Sequence, residues 1–141
     1  MKRVREKLDA LKLGFDAHTA NILQAEIDEI LSFRPLIPVL FEDLKNFEQQ
    51  VSEAYNANEF LDTKLASRLI DAARALLSYA QANPWDDAVP FILAAIRYLI
   101  RVHDGRNDFD SLDGFEDDRR VITAVIDKFN LHHVFKFEES A

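Results

Sequence analysis

Residues 88–100 read AVPFILAAIRYLI, and Arg97 is the one charged residue among them. A helix that is apolar on nearly every side belongs in the middle of a bundle, because a surface helix needs a polar face. We therefore expect a central helix here. Asn83, Pro84, Trp85, Asp86 and Asp87 stand just before it. Asn suits an N-cap and Pro the first helical position, so the spacing predicts that the helix starts at this point. Asp86 and Asp87 would then occupy the first turn, where the helix dipole favours negative charge. Trp85 is expected to be a core anchor, its indole N–H on a carbonyl.

Outward from this segment, apolar residues recur at steps of three and four. Leu61, Leu65, Leu69, Ala72, Ala73, Leu76 and Ala80 predict one helix. Lys64, Arg68, Asp71 and Arg74 form its solvent face, with Asp71 spaced to pair weakly with either Arg. Leu36, Leu40, Leu44, Phe47, Val51 and Tyr55 predict another, ending at the polar break Asn56-Ala57-Asn58. Pro35 and Pro38 punctuate the chain before it. Leu23, Ile27 and Ile30 form a stripe that runs to Phe33. Val4, Leu8, Leu11, Phe15, His18 and Ile22 follow the alternating steps of a coiled-coil seam. His18 in that seam is expected to be satisfied or half-buried. Gly14 and Asp16 interrupt the seam, and Asp16 or Thr19 would restart a helix.

On the C-terminal side the periodicity stops at His103 and resumes at Phe115, continuing through Ile122, Val125, Ile126 and Phe129. Gly105, Asn107, Ser111 and Gly114 mark the interval as a loop. The tail from Leu131 alternates apolar and polar residues and would form a short strand or an extended arm. His132 and His133 diverge on any regular element, so they are expected at the surface rather than on a metal.

The fold class expected is all-α, a single-domain bundle of five or six helices over residues 1–141 with a short extended C-terminal tail. Three Gly and four Pro are too few for the turns of an all-β fold. Eleven Phe suggest a core filled by rings. A net charge of −8 disfavours nucleic acid and anionic membrane surfaces as partners. The absence of Cys excludes disulfides and thiolate chemistry. No stretch reaches the roughly 18 apolar residues of a spanning helix, and the first residues lack the apolar run of a signal peptide. A cytoplasmic location is expected.

Residues 83–126 carry a pattern: Pro84-Trp85, then Tyr98-Leu99-Ile100, Asp104, Asp108-Phe109, Gly114-Phe115 and Asp117-Asp118, continued by Val121 and Ile122. This resembles the YkvA-like family of small bacterial helical proteins. That family has a Pro-Trp start, a helix ending Tyr-Leu-Leu, a loop S-P-x-D-x-I-P-D-F, and G-Y-x-D-D opening the next helix. The match is in register. The loop prolines are replaced by Val102 and Asn107, and His103 and Arg106 stand at usually apolar positions. The resemblance implies a helix–loop–helix core at 83–130, with Phe109, Gly114 and Phe115 as structural residues of its loop. Residues 1–82 lie outside it, and it implies no activity.

Asp104 to Asp118 holds six Asp and one Glu against Arg106 alone. Such density is self-repulsive unless compensated. In one reading the acids are structural. Asp110, Ser111 or Asp113 caps the helix beginning near Phe115, Glu116 and Asp117 sit in its first turn, and Asp104 or Asp108 accepts loop N–H groups. In a second, Asp104, Asp108, Asp117 and Asp118 bind Mg²⁺, Mn²⁺ or Ca²⁺, hard cations that take carboxylate oxygens. The EF-hand spacing fails: with Gly114 as its glycine, Phe109 and Ser111 fill the first two ligand positions and Arg120 the last. A third, acid–base catalysis by two carboxylates beside His103, needs a cleft that no sequence feature indicates. There is no phosphate-binding glycine loop, no HExxH and no GxSxG. The function expected is a non-enzymatic interaction or scaffold module with a protein partner or a second copy. The alternative is a divalent-cation-binding protein, including a metal-dependent hydrolase, that uses the acidic loop.

Overall fold

The computed structural model describes residues 9, 15, 17–32, 37–57, 63–100 and 116–136. Five helices follow in order: α1 (Ala17–Ser32), α2 (Ile37–Ala57), α3 (Thr63–Ala82), α4 (Val89–Ile100) and α5 (Glu116–Lys128). The described residues contain no strand. The fold is the expected all-α bundle.

α4 is its centre. It packs against each of the other four helices, and Val89 through Ile96 and Leu99 are all buried. The stripes read from the sequence meet it. Leu23, Ile27 and Ile30 of α1 are buried, as are Leu40, Leu44, Phe47 and Val51 of α2. α3 buries more than its predicted stripe: Ala66, Ile70 and Leu77 join Leu69, Ala72, Ala73, Leu76 and Ala80. The reason is that α3 contacts α2, α4 and α5 at once. One apolar cluster joins all five helices and ends at Leu131.

Among the described residues the core is mainly aliphatic; Phe33, Phe60, Phe109, Phe115 and Phe137 lie outside them. Phe47 and Phe91 are fully buried, whereas Phe15, Phe41, Phe129 and Phe135 pack partly exposed at its edge. Ala94 and Ala95 on α4 and Ala72 and Ala73 on α3 are completely buried. Short side chains allow close helix approach, which leaves little room for rings.

The end of α5 has a readable cause. Asn130 has φ 56°, the left-handed conformation that Asn tolerates. The Leu131 N–H donates to the Ile126 carbonyl at 2.9 Å. Leu131 and Ile126 are both buried, which completes a Schellman cap with its apolar contact. Residues 131–134 then make turns, and no strand forms among the described residues of the tail. The tail lies back on α3. The Arg68 guanidinium sits 4.8 Å from the centre of the Phe135 ring, and Arg68 donates to the Lys136 carbonyl at 3.3 Å. Arg74 reaches Glu48 of α2 at 2.7 Å. Neither arginine uses Asp71; both reach other elements instead.

α1 is turned relative to its expected seam. His18 is exposed and Thr19 is buried, so the expected half-buried histidine is corrected. One residue is about 100° of helix, enough to exchange an inner position for an outer one. α1 starts at Ala17, which makes Thr19 an interior residue rather than a restart. The seam positions 4, 8 and 11 lie outside the described residues.

Candidate functional site

The most unusual side chain stands between α3 and α4. α3 stops because the Tyr79 carbonyl is claimed twice, by the Asn83 backbone N–H at 2.9 Å and its side-chain amide at 3.0 Å. Pro84 cannot continue a helix. The Asp86 N–H then donates to the Asn83 carbonyl at 3.1 Å, closing a β-turn over Pro84 and Trp85. Asn first and Pro second is the order such turns favour. Asp86 braces the next step. Its Oδ1 accepts the Ala88 N–H at 2.9 Å, an Asx-turn, and its carbonyl accepts the Val89 N–H at 3.1 Å. Its Oδ2 accepts the Tyr79 hydroxyl. The first carbonyl of α4 to be engaged belongs to Ala88, which receives the Ile92 N–H.

Two expectations are thereby corrected. Asn83 finishes α3 rather than capping α4, and no acid sits in the first turn of α4. Trp85 is not a core anchor: it is 93% exposed. The turn carries it outward while its neighbours on both sides are fixed.

Tyr79 has a clear shift in acidity. Its pKa is raised by the hydrogen bond to Asp86, then by burial, then by the negative charge of Asp86. His133, exposed on the tail, meets the Tyr79 ring edge-on at 6.1 Å between centroids. His132 is likewise exposed and lies 2.8 Å from Asp127. Both histidines are at the surface, as expected.

The opposite end of α4 holds a second polar contact. Arg97 Nη2 reaches Glu29 of α1 at 2.8 Å, and its Nε lies 2.9 Å from Oε2 of Glu26. The Nε approach is out of line for a hydrogen bond, so the attraction there is ionic. Glu26 is 2% exposed. Sequence periodicity missed this buried acid. The signal was Arg97 itself, a lone charge on an apolar helix that needs an opposite charge nearby.

Of the acidic candidates, Asp104 and Asp108 lie outside the described residues, as do Phe109, Gly114 and Phe115. Asp117 belongs to the first turn of α5, which spans Glu116–Lys128, while the proposed caps Asp110, Ser111 and Asp113 lie outside the described residues. Asp118, one residue further on, is buried at 2% exposure. Among the described residues no three His, Asp or Glu side chains gather in a way that would hold a metal ion. No helix among them is long and apolar enough to cross a membrane. No protein-family model, curated protein or solved structure matches this chain.

Proposed function

We propose that this chain is a non-enzymatic interaction module whose docking point is the Trp85 turn. One observation carries the reading: an indole 93% exposed at a turn that four hydrogen bonds of Asp86 hold in place. Leaving an indole in water forgoes burial worth about 25 cal/mol per Å². Trp is also among the residues that dominate protein–protein binding. A turn that is already rigid loses little entropy when a partner arrives.

A photo-crosslinking amino acid placed at exposed position 82 beside the turn, with Trp85 kept, and separately at exposed position 53 on α2, tests this in extracts of the source cells. A discrete adduct at 82 but not at 53 is expected. Equal patterns at both positions would defeat the reading. An adduct of twice the chain mass would identify a second copy as the partner.

Kinship with the YkvA-like family is a further proposal, supported by the residues quoted from 83–126, and it supplies no activity. Divalent-cation binding by Asp104, Asp108, Asp117 and Asp118 is the competing functional proposal. Its support is their clustering in the sequence, and metal-dependent thermal melts decide it.

A further inference from the structure

We propose that the Trp85 turn receives a cationic segment of a partner protein, with an Arg or Lys side chain laid on the indole face. This rests on the interaction reading and adds the chemistry of the partner. Trp is the best side-chain platform for a cation, and within about 6 Å its ring attracts guanidinium or ammonium. The turn supplies matching charge. Asp86 and Asp87 follow Trp85 directly, and from residue 75 to residue 96 there is no Lys or Arg. The Asp86 carboxylate is fixed by Tyr79 and the Ala88 N–H, so its negative charge has a set place beside the indole's turn.

The alternatives fit less well. A purely apolar partner would bury the carboxylates of Asp86 and Asp87 without bringing an opposite charge, which is unfavourable. A second copy docking turn to turn would set Asp86 and Asp87 of each copy against those of the other, between chains that each carry −8. The fold already uses the proposed contact within itself, where Arg68 covers the ring of Phe135.

Trp85 is the chain's one tryptophan, so its fluorescence reports on this site alone. The test titrates the full chain with fluorescein-labelled hexa-arginine at low ionic strength, read by anisotropy, and follows Trp85 emission with the unlabelled peptide. Trp85→Ala should weaken binding about tenfold. Asp87→Asn should weaken it severalfold. Glu53→Gln removes the same charge from α2 and should change it less than twofold. Hexaglutamate and a neutral Gly-Ser peptide should leave the emission unchanged.

Equal losses for Trp85→Ala and Glu53→Gln would mean diffuse charge attraction and overturn the proposal. So would an equal emission shift with the neutral peptide. A shift with protein concentration alone would overturn it in favour of a second copy. Competition separates the two levels of the argument. If hexa-arginine present before irradiation does not suppress the adduct formed at position 82, the cationic partner is wrong while the interaction reading survives. If no adduct forms there at all, the interaction reading itself fails.

Discussion

The two ends of α4 handle polar chemistry in opposite ways. At its C-terminal end, Arg97 crosses to α1 and closes over Glu26 and Glu29. Here charge is taken inward and the apolar surface around it is covered. At its N-terminal end, Asp86 fixes a turn with four hydrogen bonds and the turn leaves Trp85 in water. Here polar groups are ordered and apolar surface is left uncovered. The first arrangement holds two helices together and is complete within the chain. The second is rigid but leaves a large ring unused by the fold. The difference separates a contact that builds the bundle from a turn whose exposed ring makes almost no contact within it.

If that division is right, stability should fall steeply on one side and hardly at all on the other. The largest effect is expected from Arg97→Met. The substitution keeps much of the side-chain volume but takes the guanidinium away from a carboxylate buried to 2% exposure. Losing one partner of a buried pair costs about 3–5 kcal/mol. Urea unfolding measures it, and adding Glu26→Gln should recover most of the loss. A double variant no better than Arg97→Met would show that Glu26 is held by something other than that charge.

The contrast between the two ends was only half legible in the sequence. The apolar run at 88–100 required a central position, and the stripes of α1, α2, α3 and α5 required burial; both follow from periodicity. Asn83-Pro84 reads as both the end of α3 and the start of α4, and only the first half holds: Asn-Pro terminates α3, and α4 begins at Val89. Asp86, three residues before Val89, was the better turn signal, since an Asp accepts an N–H two residues on. Trp85 was drawn inward by hydropathy, whereas its position after Pro in a β-turn pointed outward. The burial of Glu26 depends on the facing of α1 and α4, which no local pattern encodes. For the acidic loop the legible part is the helix α5 that follows it, with Glu116 and Asp117 in its first turn. Whether Asp118 acts structurally or as a ligand depends on neighbours that sequence spacing cannot bring together.

Asp118 offers the next largest effect. Replacing it with Asn exchanges a buried carboxylate for a neutral amide that cannot accept the same set of hydrogen bonds. A structural acid should cost about 1–3 kcal/mol, with no metal present. Thermal melts with millimolar Mg²⁺, Mn²⁺ or Ca²⁺ supply the other arm. A bound ion would raise the midpoint by mass action, about 2.7 kcal/mol at a hundredfold excess over Kd. A rise in the wild type that vanishes in Asp118→Asn, with unliganded stability kept, would transfer Asp118 from scaffold to site.

Tyr79→Phe should be milder, about 0.5–1 kcal/mol, because the hydrogen bond to Asp86 is only partly buried. Its pH dependence has a definite sign. The pKa of Tyr79 is raised on folding, so its contribution is complete below the ordinary phenol value of about 10 and disappears as pH climbs through the higher folded value. The wild type should therefore lose its advantage over Tyr79→Phe in that alkaline range alone. Parallel stability curves from neutral to alkaline pH would remove Tyr79 as a brace of the turn.

Trp85→Ala should have the smallest effect on stability of all, and that is the sharpest form of the comparison. A tryptophan in a core costs about 3–5 kcal/mol when cut to alanine. A side chain 93% exposed has almost no contacts to lose, and surface substitutions usually stay within about 0.5 kcal/mol. The braces of the turn are backbone groups, Tyr79 and Asp86, none of which the substitution touches. The urea midpoint and its slope should both match the wild type, since the surface exposed on unfolding hardly changes. A loss of several kcal/mol would mean that the ring is packed in solution, and the turn would then belong to the architecture like Arg97. An unchanged midpoint would show that this exposed ring adds nothing measurable to the stability of the bundle, the outcome the proposed docking role requires.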